Sequence, residues 1–172
     1  MKRIHFIGIG GSGLSAIARL LKESGYEVTG SDRTLSQFAV DLQNKGISVY
    51  IGHHPRNVGG ADMVIRSSAI TDDNPEVEAA KHAGIPVYKR SDFLGQLMAD
   101  KTGIAVAGTH GKTTTTAMIA WVLYAMKRDP SFIVGGMLNN LKVNAHAGKG
   151  DLFVIEADEY DRMFLGLKPR IE

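Results

Sequence analysis

The sequence predicts an α/β protein: one complete parallel-sheet unit followed by the opening of a second. Three observations carry this. Short β-rich runs alternate with helical runs from the start of the chain to about residue 98. The loop Gly8-Ile9-Gly10-Gly11-Ser12-Gly13 directly follows the first β-rich run, and Gly111-Lys112-Thr113 follows a later one. Strands and helices alternating at this spacing imply crossover units, with a parallel sheet covered on both faces.

In chain order, Lys2 to Ile9 is the first strand, carrying Ile4, Phe6 and Ile7. It runs into a full G-x-G-x-x-G. The apolar helical pattern Leu14, Ile17, Ala18, Leu20, Leu21 follows, and Gly25 ends that helix. Tyr26 to Gly30 is a second strand, closing on Ser31-Asp32. An acid about twenty residues past such a loop is where a Rossmann-type domain meets a ribose. The pattern certifies a turn able to hold a pyrophosphate, which NAD, FAD and nucleotide-sugars all carry.

Ser36 to Lys45 is helical, and Ile47 to Ile51 and Asp62 to Arg66 are strands, the latter opening onto Ser67-Ser68-Ala69-Ile70. Pro75 begins a helix that reaches about His82. Ile85 to Tyr88 is a strand, and Ser91 caps a helix to about Met98. Ligands of open parallel sheets sit beyond the carboxyl ends of the strands. Gly10, Gly11, Ser12, Gly13, Asp32, Ser67 and Ser68 all fall at such ends, although Ser67-Ser68 also reads as an ordinary turn. His53-His54 lacks a nearby third ligand, and neighbouring side chains on an extended segment point apart. The pair therefore reads as solvated loop histidines.

A polar link, Ala99 to Thr102, separates residues 1–98 from residues 99–172. The apolar run Ile104 to Ala107 leads into Gly108-Thr109-His110-Gly111-Lys112-Thr113-Thr114-Thr115, and a helix leaves it. Strand, glycine loop, Lys-Thr and helix is the layout of a phosphate-binding loop. Glycines let successive N–H groups face one anion, and the helix N-terminus adds partial positive charge. Lys112 can reach the β- and γ-phosphates, and Thr113 can offer its hydroxyl to magnesium. The general pattern has a glycine where Val106 stands, so this loop is a shortened variant in which Gly108 takes the first turn. His110 either contacts phosphate or faces solvent.

Beyond the loop, Met118, Ile119, Val122 and Met126 form an apolar stripe widened by Trp121, Leu123 and Tyr124, which predicts a buried helix. Phe132 to Val134 is a strand leading to a Gly135-Gly136 loop. Asn139, Asn140, Asn144 and His146 lie in a polar connection. Asp151 to Ala157 is a core strand ending at Glu156, Asp158 and Glu159. Carboxylates there are placed either for a nucleotide's magnesium or as a charged strand end.

Composition narrows the function classes. Of 172 residues, 44% are hydrophobic, which supports a packed core. Lys and Arg number 20 against 18 Asp and Glu, and +2 is too balanced to point to nucleic acid or an anionic membrane. With no cysteine there are no disulfides or thiolate metal sites, which suits a cytoplasmic protein. No apolar run reaches membrane-spanning length, and residues 1–9 do not read as a signal peptide.

With both loops in view, the chain resembles the Mur ligases of peptidoglycan synthesis. The matching stretches are IHFIGIGGSGLSAIA, Gly30-Ser31-Asp32, Ser67-Ser68-Ala69-Ile70, GTHGKTTT, Gly135-Gly136 and EADEYDRMFLGLKP, in family order. The shortened phosphate loop is the family's form. The resemblance implies a first domain for the UDP part of UDP-N-acetylmuramate, a central domain for ATP with Mg2+, and a third for the incoming amino acid. It implies UDP-sugar contacts at Gly10, Gly11, Ser12, Gly13, Asp32, Ser67 and Ser68. It places ATP on Gly108, Thr109, His110, Gly111, Lys112, Thr113 and Thr114, gives catalytic roles to Lys112, Thr113 and Glu156, and leaves the metal with Thr113 and Glu156.

Within the family the likeness leans to the branch that joins L-alanine to UDP-N-acetylmuramate through an acyl phosphate. The rival branch adds a preformed tripeptide to the same sugar nucleotide, and only Arg162-Met163-Phe164-Leu165 speaks between them. Two other classes stay open: an NAD-dependent oxidoreductase, in which GTHGKTT has no role, and a non-catalytic UDP-sugar sensor. Residues 99–172 supply fewer strands than a nucleotide-binding α/β domain needs. The sequence is therefore expected to be an N-terminal fragment that does not ligate by itself. Oligomeric state is left open.

Overall fold

The computed structural model describes residues 2–157 and 169–171. Contacts divide the chain into two compact units, Met1–Arg90 and Ser91–Glu172.

The first unit runs β1 (Arg3–Ile7), α1 (Ser12–Glu23), β2 (Glu27–Asp32), α2 (Gln37–Asn44), β3 (Ser48–Ile51), a 3-10 turn (Pro55–Val58), β4 (Met63–Arg66), α3 (Pro75–His82) and β5 (Val87–Lys89). All five strands are parallel, in the order β3-β2-β1-β4-β5. The order reverses beside β1, so the fingerprint loop leaves the sheet at the switch point where ligands of such folds bind. Strand alternation gives the sheet two unlike faces. Ile7 and Val64 pack with Val77 and Ala80 of α3, and His5, one pleat from Ile7, shares that face. Ile4 and Phe6 occupy the other, fully buried. The helix starts are locally encoded. Ser36 caps α2 by accepting from the Ala39 N–H, and Asn74 caps α3 by accepting from Glu76, with Pro75 in the first turn.

The second unit holds α4 (Arg90–Met98, all but its first residue), β6 (Thr102–Val106), α5 (Lys112–Ala125), β7 (Ser131–Leu138), β8 (Val143–His146) and β9 (Leu152–Glu156). Its sheet order is β6-β9-β7-β8, with β6, β9 and β7 parallel and β8 antiparallel to β7. Ile171 adds a parallel bridge to Ile104 on β6. Phe132, Val134, Leu138, Val154 and Ala120 form the core between α5 and the sheet.

Several sequence expectations need correcting. Residues 91–98, assigned to the first domain, group with the second unit; Phe93, Leu94 and Met98 are buried, and Met98 Cε fills the space a side chain on Gly103 would need. Gly135 and Gly136 lie within β7 rather than in a loop beyond it. The polar connection hides β8, where Asn144 and Ala145 are buried. Three residues of the expected stripe face solvent, Met118 at 63%, Val122 at 52% and Met126 at 66% exposed, while Ile119, Trp121 and Leu123 are partly buried against the core and Thr116 and Ala120 are fully buried. Apolar residues nearly surround this helix, so periodicity alone did not select the buried side. Small residues let α5 approach the sheet closely.

Candidate functional site

Each unit carries one loop suited to an anion. In the second unit, β6 ends at Val106 and the loop runs exposed to Gly111, whose φ of 77° places it in the left-handed region just before Lys112 opens α5. Gly108 has φ 146°. Both conformations favour glycine. The first hydrogen bond of α5 is Thr115 N–H to Gly111 O, 2.9 Å. The N–H groups of Lys112, Thr113 and Thr114 therefore precede the helical ladder and sit at its positive end. Lys112 Nζ donates to Gly108 O at 2.7 Å, lying back over its own loop. Thr109 and His110 are exposed on the loop.

Glu156 closes the same corner. It ends β9, and β9 lies between β6 and β7. Its Oε1 accepts the Gly135 N–H at 2.7 Å, and its Oε2 accepts the Thr113 hydroxyl at 3.2 Å. A Cβ on Gly135 would stand 2.8 Å from Glu156 Oε2, and one on Gly136 would stand 3.3 Å from Thr113 Cγ2. The glycine pair thus gives the carboxylate and the threonine room to meet. Thr113 and Glu156 are hard oxygen donors of the kind Mg2+ takes. Among the described residues no group of three or more His, Cys, Asp or Glu is placed to hold a metal ion. The donor set fits an ion shared with nucleotide oxygens and water better than one caged by protein. Asp158 and Glu159 lie outside the described residues, as does the segment Arg162 to Leu165.

In the first unit, the amides of the fingerprint loop are mostly bonded to the end of β2. Gly8 and Ile9 N–H both reach Ser31 O, at 2.8 and 3.0 Å, and Gly11 N–H reaches Gly8 O at 3.3 Å. Gly10 N–H donates to Asp32 Oδ2 at 2.8 Å. Asp32 is therefore a clasp on the loop, a role the ribose rule does not anticipate. The first α1 hydrogen bond is Ser15 N–H to Gly11 O, so the amides of Ser12, Gly13 and Leu14 precede the helical ladder. The Arg90 guanidinium lies against Gly13 and would have to move for any side chain there. Ser67 abuts Gly8, and its hydroxyl accepts the Ala69 N–H at 3.3 Å within its own turn; Ser68 is exposed at the same rim.

One polar cluster went unseen in the sequence. Glu76, in the first turn of α3, is fully buried. Ser31 Oγ and Asn57 Nδ2 each donate to it at 2.5 Å, and His54 N–H donates at 3.2 Å. His5 Nε2 lies 3.6 Å from it, and His5 Nδ1 is 2.9 Å from Thr29 Oγ1. His53 Nδ1 stands 3.0 Å from Ser31 Oγ and 3.4 Å from Glu76 Oε2, so His53 is a network member and not the solvated loop histidine expected. Burial alone would raise the Glu76 carboxyl. The contacts with His5, Ser31 and Asn57, and the charge of His5, outweigh it and hold the group at about 2. Strand alternation, which puts His5 on the face of Ile7, was the available signal.

The comparisons with known proteins point one way. The model of the Mur ligase family, catalytic domain, matches residues 3–102, more than half of the chain. A UDP-N-acetylmuramate–L-alanine ligase of Persephonella marina is 51% identical over 99% of this chain and 37% of its own length. The ligase of the same name from Aquifex aeolicus is 50% identical over 99% of this chain and 38% of its own. Among solved structures, the UDP-N-acetylmuramate-alanine ligase of Thermotoga maritima superposes with TM-score 0.91 at 35% identity, over 98% of this chain and 40% of that one. The UDP-N-acetylmuramate:L-alanyl-gamma-D-glutamyl-meso-diaminopimelate ligase of Neisseria meningitides also gives 0.91, at 34% identity, over 99% of this chain and 59% of that one. The chain thus spans less than two fifths of the curated relatives named here.

Proposed function

The chain belongs to the Mur ligase family, and from that premise we propose that it supplies the UDP-sugar-binding domain and the opening of the ATP-binding domain of a UDP-N-acetylmuramate–L-alanine ligase. The contact of Thr113 with Glu156 beside the amides of Lys112 to Thr114 carries the reading. It joins an anion cradle to a pair of hard oxygens, as MgATP chemistry requires. The fold match does not separate the alanine-adding from the tripeptide-adding branch. The names of the half-identical relatives favour the former. The oxidoreductase and sensor readings draw no support from these likenesses.

A carboxylate and an amine do not condense in water without activation. In this reading the lactyl carboxylate of UDP-N-acetylmuramate takes the γ-phosphoryl of ATP, leaving ADP. The amine of L-alanine then attacks the acyl phosphate, and phosphate departs. This chain's residues position anions and neutralise charge. Gly108, Thr109, His110 and Gly111 form the loop, and the amides of Lys112, Thr113 and Thr114 receive phosphate oxygens. Lys112 exchanges its Gly108 carbonyl for the transferring phosphoryl group. Thr113 and Glu156 would hold Mg2+, which supplies charge neutralisation between the two approaching anions.

In the first unit, Ser12 and Gly13, together with Leu14, offer amides to the UDP diphosphate. Gly10 and Gly11 shape the loop, Asp32 clasps it, and Ser67 and Ser68 line its rim. Substrates of this kind are made and used inside the cell, so a cytoplasmic setting belongs to the proposal; among the described residues no helix is long and apolar enough to cross a membrane. Calorimetry with UDP-N-acetylmuramate and with NAD tests it. Binding of the UDP-sugar and not NAD is expected, and the reverse result would overturn the ligase reading.

A further inference from the structure

Ser36 lies outside the glycine fingerprint, yet its hydroxyl makes two bonds of opposite polarity. It donates to Gly10 O at 2.8 Å and accepts from the Ala39 N–H at 3.2 Å. Gly10 is therefore held at both ends, its N–H by Asp32 and its carbonyl by Ser36. A Cβ on Gly10 would fall 2.8 Å from Ser36 Oγ and 2.9 Å from Asp32 Oδ2, so the clasp closes only around glycine. The peptide between Gly10 and Gly11 is flanked by glycine on both sides and has little steric resistance to turning over. Its carbonyl rests on the α2 cap, while its N–H donates to Gly8 O. Turned over, it would aim a carbonyl dipole away from α2 and lose both bonds.

We propose that Ser36 is a positioning residue for the UDP diphosphate: it pins the Gly10–Gly11 peptide so that the Gly10 carbonyl stays on α2 and away from the anion at the N-terminal turn of α1. This rests on the reading that the fingerprint loop holds that diphosphate. Ser36 touches no substrate and acts through the loop. The helix cap and the loop pin are separable, because glycine caps helices nearly as well as serine but cannot donate to Gly10, while threonine can do both.

The test uses the 172-residue chain as Ser36→Gly, Ser36→Thr and the unchanged protein, with two readouts. Amide hydrogen exchange at Gly11 reports the peptide directly, since its N–H is bonded only in the pinned orientation. Calorimetry with UDP-N-acetylmuramate reports the ligand. Ser36→Gly should lose Gly11 protection and bind the UDP-sugar roughly tenfold more weakly, the scale of one hydrogen bond. Ser36→Thr should retain both, and thermal melting should show all three proteins folded. Unchanged Gly11 protection in Ser36→Gly would overturn the pin. Lost protection with unchanged affinity would overturn its role in binding. If the unchanged protein binds no UDP-sugar, the functional reading fails, and with it the role in binding; Gly11 exchange then still decides the pin.

Discussion

Thr113 Oγ1 lies 3.2 Å from Glu156 Oε2 although 43 residues separate them. The first turn of α5 and the end of β9 converge there, and under the proposed function a cation would take the place of the shared proton. Glu156→Gln should therefore weaken MgATP binding by about tenfold or more, at least the loss typical of removing a group that only supports a metal's ligands. Metal-free ATP should bind as before. Nucleotide titrations with and without magnesium check this, and equal losses in both would remove Glu156 from the metal.

Lys112→Ala in a ligase carrying this segment should lower amino-acid-dependent phosphate release by roughly 100-fold or more, the usual scale for removing one transition-state charge contact. UDP-N-acetylmuramate affinity should stay the same, because the fingerprint loop belongs to the other unit. Phosphate-release assays beside calorimetry separate the two, and a mutant with most of its turnover would show that this loop is not catalytic.

Gly135→Ala would bring a methyl 2.8 Å from Glu156 Oε2, and Gly136→Ala one 3.3 Å from Thr113 Cγ2. The first should lose magnesium-dependent nucleotide binding nearly as fully as Glu156→Gln. The second should lose less, since a methyl group yields more readily than a held carboxylate. Nucleotide titration of both variants ranks them.

Glu76 makes stability depend on acid. Its carboxyl sits near 2 in the fold against an ordinary 4.5, so the ionised form favours folding. The contribution is complete above roughly pH 4.5 and is lost as pH falls toward 2, in total about 3 kcal/mol. Urea unfolding from pH 6 down to 2.5 should show that decline, and Glu76→Gln should flatten it while lowering stability at pH 7. An unchanged acid limb in Glu76→Gln would place the effect elsewhere.

The corrected face of α5 gives an opposing pair. Val122→Lys, at an exposed position, should change stability by less than about 0.5 kcal/mol. Ala120→Leu, against Phe132 and Val154, should cost about 1–3 kcal/mol by overpacking. Thermal melts of the two variants decide which side of the helix meets the sheet.

What the sequence disclosed and what it hid follow from the range of each signal. Helix starts at Ser36 and Pro75, the turn after α1 at Gly25 and both glycine loops are local chemistry and stand where expected, whereas Ser91, expected as a cap, is the second residue of α4. Gly135's service to Glu156, the second bond of Ser36 and the burial of Glu76 are long-range pairings that no local pattern encodes. Strand β8 escaped because Asn144 and His146 give it a polar reading, while its partner β7 supplies the ladder. Asp32 was found for its position, but its observed partner is Gly10.

Both sites hang a carboxylate on a glycine amide: Asp32 on Gly10 and Glu156 on Gly135. A main-chain N–H is encoded by no codon in particular, and only proline deletes it. At the glycine, therefore, neither acid meets a side chain whose change could compensate for its own; the Thr113 hydroxyl is a separate contact of Glu156. A salt bridge can be inverted by exchanging both charges, and its two positions can drift together through evolution. These pairs cannot. Glu156 and Asp32 should show no reciprocal covariation with Gly135 or Gly10, and second-site suppressors of their loss should not arise there by charge exchange.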